Sequence, residues 1–115
     1  IDVPQQALGG GFQRWTVDMK SEGEDVAVTP LGPPGDMPRI ADADQGRSYK
    51  RGWYCSMNPQ PMGPPVMGGV VGVMFTALLR KDFETGAISG YNLPPAHGMS
   101  ETVHVPASTP GHEGW

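Results

Sequence analysis

The sequence predicts a mainly β protein: a small antiparallel β sandwich or barrel-like domain with long Pro/Gly-rich loops and extended terminal arms. Three observations carry that expectation. Gly occurs 17 times and Pro 13 times among 115 residues. No window of a dozen residues keeps the i, i+3, i+4, i+7 apolar spacing of a helix without one of them, and a Pro in a helix interior costs about 3 kcal/mol. Short segments instead alternate apolar and polar side chains with the period of two that a half-buried strand requires. Finally, residues 52–79 carry no charged side chain, and their second half, 66–79 (VMGGVVGVMFTALL), is the only long apolar run around which a core can form.

Residues 1–11 read as an N-terminal arm, 12–105 as one small β domain, and 106–115 as an irregular tail. At 115 residues one core is the most the chain can hold. Within the domain, residues 12–20 (FQRWTVDMK) place Trp15, Val17 and Met19 on one face and Arg14, Thr16, Asp18 and Lys20 on the other. The polar stretch 21–25 then turns the chain, and Val26 and Val28 resume the alternation, which completes a hairpin. Residues 29–47 hold Pro30, Pro33, Pro34 and Pro38 and the acidic stretch around Asp42 and Asp44. They predict a surface loop of polyproline character, because Pro fixes φ and donates no backbone hydrogen bond. Residues 48–55 predict a strand. Residues 70–80, apolar on both faces and rich in β-branched and aromatic side chains, predict a central one in which Val71, Val73, Phe75, Ala77 and Leu79 share a buried face. A turn at 82–86, a returning strand at 87–93 and a short strand at 102–105 complete the expectation.

Leu, Ile, Val and Phe make up less than a fifth of the chain, close to the level at which disorder becomes the prior. The net charge of −4 is small, however, and 7 Met and 3 Trp add apolar bulk, so the chain reads as ordered with help from neighbours. An acidic pI of about 5.1 with only two short basic clusters excludes a nucleic-acid backbone as partner. One Cys excludes an internal disulfide. Ile1 in place of an initiator Met suggests processing or a truncated start.

The candidates for chemistry are few. Trp53-Tyr54-Cys55-Ser56-Met57-Asn58-Pro59-Gln60 resembles the Tyr-x-Cys-Pro-Met-His-Pro opening of small heavy-metal-binding domains, with Asn58 where that family has His. The resemblance implies soft thiolate and thioether donors at Cys55 and Met57. Asp42 and Asp44 stand at alternate positions as in the start of a calcium loop, without its closing Glu. His97, His104 and His112 are spaced by 7 and 8 residues, unlike helical or knuckle metal ligands, and read as surface side chains. The 82–86 turn and the Ala-Ile-Ser-Gly-Tyr that follows are similar to a hairpin of quinoprotein-type propeller blades, one turn solution among many. No nucleophile elbow and no phosphate-cradling loop are present.

The chain therefore reads as no enzyme and as needing no cofactor or metal. It reads as a structural assembly subunit of virion-decoration, minor-capsid or extracellular-filament type, packing against copies of itself or a larger structural protein. Its interface and core would be built from Trp15, Val71, Val73, Phe75 and Leu79, with Trp115 of the tail filling a neighbour's pocket. Virion or extracellular locations follow, with a membrane complex second. In that alternative, residues 64–81 form the single span of a membrane accessory subunit, with Gly68 and Gly72 in GxxxG spacing. The apolar run supplies 14 residues where a span takes about 20. A secreted metal-binding domain is the further alternative.

Overall fold

The computed structural model describes residues 11–23 and 26–111. Among them are five strands and no α-helix: β1 (Gly11–Val17), β2 (Val26–Arg39), β3 (Arg51–Ser56), β4 (Ala77–Asp82) and β5 (Ile88–Asn92). They form one sheet in the order β1-β2-β3-β4-β5, every neighbouring pair antiparallel. The mainly β, antiparallel expectation is met. The sandwich or barrel is not: the sheet is open, with β1 and β5 at its edges.

The first hairpin follows the alternation. Trp15 lies opposite Val28 and Val17 opposite Val26. The turn is tightened where the Lys20 amide donates to Asp18 Oδ1 at 2.9 Å. The Pro-rich segment differs from its expectation, because β2 continues to Arg39 through four prolines. Register shifts between Gly11 and Gln13, and again between Asp36 and Arg39, break the ladder locally as the strand passes from pairing with β1 to pairing with β3. Bulges of this kind are where a strand tolerates a residue that cannot donate. One of them forces Met37 to φ 53, a left-handed conformation that costs a side chain of this size some strain.

The central strand is β3, not the apolar run. Tyr54 and Cys55 are 0% exposed, and Trp53, Ser56 and Ala77 are buried around them. Of the run, only Ala77 onward is strand. Val70 and Val71 sit in a 3-10 turn, Gly69–Val71, and are 106% and 72% exposed. Glycines override the β-branched preference here: Gly69 and Gly72 take φ 63 and 82, conformations that only Gly adopts freely. The Gly68 amide donates to the Gly72 carbonyl at 2.8 Å and closes a tight finger. Val73 and Phe75 make isolated bridges to Met67 and Met99, outside any strand, and are half-buried. Leu79 lies in β4 opposite Tyr54 and is likewise half-buried. Residues 102–105 form no strand. No helix among the described residues is long and apolar enough to cross a membrane.

The 82–86 turn and its returning strand are as expected. Asp82 Oδ1 accepts hydrogen bonds from the amides of Thr85 (2.8 Å) and Glu84 (2.9 Å), and Gly86 takes φ 78. The Thr85 amide above all, with the Thr85 hydroxyl, the Glu84 amide and the Arg51 guanidinium, holds the Asp82 carboxyl below the usual carboxylate range against an opposing effect of burial. Asp82 therefore binds its proton more weakly folded than unfolded. Its contribution to stability is complete above the ordinary carboxylate pKa of about 4 and is lost as the pH falls through the lower folded value. Asp82→Asn should accordingly flatten the acid limb of the stability profile below about pH 4. Denaturation midpoints measured across that range check it, and an unchanged acid limb would refute the assignment.

Candidate functional site

Two features converge at the end of β3. The first is a cleft of about 500 Å³ whose lining includes Met57, Pro61, Met62, Val73, Leu93 and His97. Its floor is Thr76, which ties both rims. The Thr76 Oγ1 accepts from the Asn58 amide at 3.0 Å, and the Thr76 carbonyl accepts from the Leu93 amide at 2.9 Å. The Thr76 amide itself donates to the Ser56 carbonyl at 3.0 Å, so the floor is anchored to the most buried strand. Pro at positions 59, 61, 64, 65, 94 and 95 stiffens both rims, since each fixes its own φ and restricts the residue before it. The result is a largely apolar, pre-shaped concavity, the usual form of a small-molecule site.

His97 supplies the cleft's titratable group. Ala96 takes φ 64, which swings the chain so that the His97 amide meets the Pro94 carbonyl at 3.2 Å. The ring Nδ1 lies 2.9 Å from the Pro95 carbonyl. A carbonyl can only accept, so Nδ1 carries the proton, and in the neutral ring Nε2 is the free acceptor.

The second feature is a strap, residues 99–104, that crosses the sheet beside β3. The Met99 amide donates to the Phe75 carbonyl at 2.8 Å, and the Cys55 thiol donates to the Ser100 carbonyl at 2.9 Å. Arg39 Nη1 meets Glu101 Oε1 at 3.3 Å, and the His104 ring packs on Trp53 with centroids 4.7 Å apart. Thus the strap is held at Met99, Ser100, Glu101 and His104 without a strand ladder, and His104 is a packed residue, not the surface one its sequence position predicts. Burial first, then the nearby Asp36 and Glu101 carboxylates, push the Cys55 thiol up. Since the thiolate is the nucleophile, Cys55 should resist alkylation in the native protein and react on denaturation. Mass spectrometry after iodoacetamide treatment tests this, and fast native labelling would show that the strap opens.

The remaining sequence candidates are dispersed. Met57 lines the cleft, whereas Cys55 is committed to the strap. Asp42 pairs with Arg39 at 3.8 Å and accepts from Gln45. Asp44 sits in the same short 3-10 turn. Among the described residues no three His, Cys, Asp or Glu side chains gather as metal ligands. Trp15 stands 69% exposed on β1. Val71 is at the tip of the finger, Val73 in the cleft wall, and Phe75 beside the strap. Trp115, His112 and the arm before Gly11 lie outside the described residues. Sequence reasoning missed the cleft and His97. Its signal was the recurrence of Pro-rich stretches at 57–66 and 93–97, far apart in sequence.

Comparison with known proteins gives the frame. The family model described as RPE65, retinal pigment epithelial membrane protein, matches residues 2–115. The crystal structure of Pseudomonas brassicacearum lignostilbene dioxygenase matches with a TM-score of 0.71 at 26% sequence identity, over 88% of this chain and 21% of that one. The chain thus spans about a fifth of that dioxygenase. No curated protein matches. These findings overturn the reading as a non-enzymatic structural subunit of a virion or filament. They point to an oxygenase-type enzyme family. The composition misled for a physical reason: a thin core and exposed apolar residues look the same in a separate subunit and in a sheet that packs within a larger fold.

Proposed function

The chain belongs to the RPE65 family, that of the retinal pigment epithelial membrane protein, and from that membership we propose that it is one sheet of a larger oxygenase-type enzyme, with the cleft at Thr76 forming part of the wall that receives an apolar substrate. The observation that carries the reading is the family match over nearly the whole chain, supported by the likeness to a dioxygenase at 26% identity. The cleft's chemistry agrees with it. Pro, Met, Val and Leu offer shape and dispersion contacts with few polar groups, which suits a rigid hydrocarbon or aromatic alkene. His97 Nε2 adds one acceptor at which a hydroxyl of such a substrate could be held.

Ground-state dioxygen reacts with a closed-shell alkene only where a redox-active centre mediates. Among the described residues no ligand set for a metal of that kind gathers. What this chain contributes is the cleft wall and the strap that braces it.

The test uses the full-length polypeptide that contains these residues, supplied with a stilbene-type alkene and ¹⁸O₂. Both oxygen atoms should appear in the products. Oxygen uptake that fails to respond to any apolar aromatic or polyene alkene would overturn the reading.

A further inference from the structure

We propose that the hollow between β1 and the turn at Phe83 is a second ligand site, one that takes a small aromatic carboxylate through the Arg14 guanidinium. It shares no lining residue with the cleft at Thr76, so it stands independently of the enzyme reading.

The hollow has a volume of about 330 Å³, at the small end of the range for ligand sites. Its base depends on a glycine in β3. A Cβ at Gly52 would stand 3.2 Å from the Phe83 ring and 3.4 Å from the Arg39 carbonyl, tighter than side chains ordinarily pack, so its absence lets the ring lie close against the strand. The Phe83 amide donates to the Lys50 carbonyl at 2.8 Å and fixes the start of the turn there. Tyr49 then meets the Phe83 ring edge-on, with centroids 5.2 Å apart and planes at 85°. Leu31 and Ile40 add aliphatic wall. Two rings held at a fixed angle beside aliphatic sides suit a flat ligand of about one ring.

The ligand's charge follows from the rest of the lining. The chain is acidic, with a net charge of −4, yet the hollow is lined by Arg14 and Arg39 and by no Asp or Glu. Arg39 is already engaged, by Glu101 at 3.3 Å and Asp42 at 3.8 Å. Arg14 is not. Its guanidinium lies 5.0 Å over the Phe83 ring, and among the described residues no carboxylate forms an ion pair with it. Stacking on a ring uses the face of a guanidinium and leaves its N–H edge, whose fork matches the two oxygens of a carboxylate. A cation would be repelled here, and a neutral ring would leave that fork unused. An acid of benzoate type meets both the aromatic walls and the free edge.

Titration of the full-length polypeptide that contains these residues with benzoate, and separately with its uncharged isostere benzamide, tests the proposal by calorimetry and saturation-transfer NMR. Benzoate should bind saturably and benzamide about tenfold more weakly, because only the carboxylate makes the charge-assisted pair. Arg14 is exposed on β1, so Arg14→Gln removes the charge without touching the core, and it should bring benzoate down to the level of benzamide. The comparison of the two probes on the unaltered protein keeps the test valid even where the variant folds poorly. Absence of saturable benzoate binding overturns the proposal and would mean that another part of the longer chain fills or covers the hollow. Equal binding of the two probes overturns it as well, as does benzoate binding that a folded Arg14→Gln variant leaves undiminished, which would place the ligand elsewhere.

Discussion

Replacing Tyr54 by Ala is expected to cost about 3–5 kcal/mol, a large part of the stability of a domain this size. The side chain is 0% exposed and stacked on Phe12. Two glycines make room for it. A Cβ on Gly32 would stand 2.6 Å from the Tyr54 hydroxyl and 2.9 Å from Ile88 Cδ1, and one on Gly35 would collide with the Cys55 carbonyl and the Tyr54 ring. The hydroxyl has no hydrogen-bond partner among the described residues, and burial pushes its pKa up. Tyr54→Phe should therefore be nearly neutral, since it removes a buried group whose desolvation nothing offsets. Urea midpoints at constant m-value separate the two variants. An Ala variant within 1 kcal/mol of the parent would place the core elsewhere.

That expectation differs from the one the sequence supports, and the difference shows what local pattern can and cannot reveal. Period-two alternation located β1 and the start of β2, and the Asp82-to-Gly86 chemistry located the β4–β5 hairpin, because each is decided by neighbours in sequence. The apolar run promised Phe75 as the central cavity, yet Gly68, Gly69 and Gly72 divert the backbone before Val73 and leave Phe75 half-buried on an isolated bridge. Phe75→Ala should accordingly cost less than Tyr54→Ala. β3 was visible only as a possible strand, since Trp53-Tyr54-Cys55 reads the same whether one face is covered or both. The 99–104 strap, from 45 residues further on, meets Trp53 and Cys55 while Phe12 of β1 stacks on Tyr54, and no local signal announces a contact such as that of Cys55 with Ser100. The cleft was hidden for the same reason. Its rims are separate Pro-rich stretches, and the hydrogen bonds of Thr76 to Asn58 and Leu93 help bring them together.

Filling the cleft should impair function while sparing the fold. Val73 lines the cavity, and its place in the chain is set by the backbone bridge to Met67, so a larger side chain there need not break a ladder. In the full-length polypeptide, Val73→Trp is expected to lower kcat/KM for an apolar alkene by roughly tenfold to a hundredfold, since even one methylene too many in a hydrophobic pocket is worth about 1–3 kcal/mol. Its thermal midpoint should stay close to the parent's, because β-branched and aromatic side chains are both at home in extended backbone. Val70→Trp is the control. Val70 lies three residues away at the fully exposed tip of the same finger, so it adds the same bulk to the same element without entering the cleft, and turnover should be unchanged. If Val73→Trp also turned over normally while remaining folded, the substrate would not pass through this cleft. If both variants lost activity alike, the finger as a whole would be the sensitive element. Loss at Val73 with retention at Val70 is the pattern that a substrate wall requires, because only the side chain facing the cavity competes with the substrate for its volume.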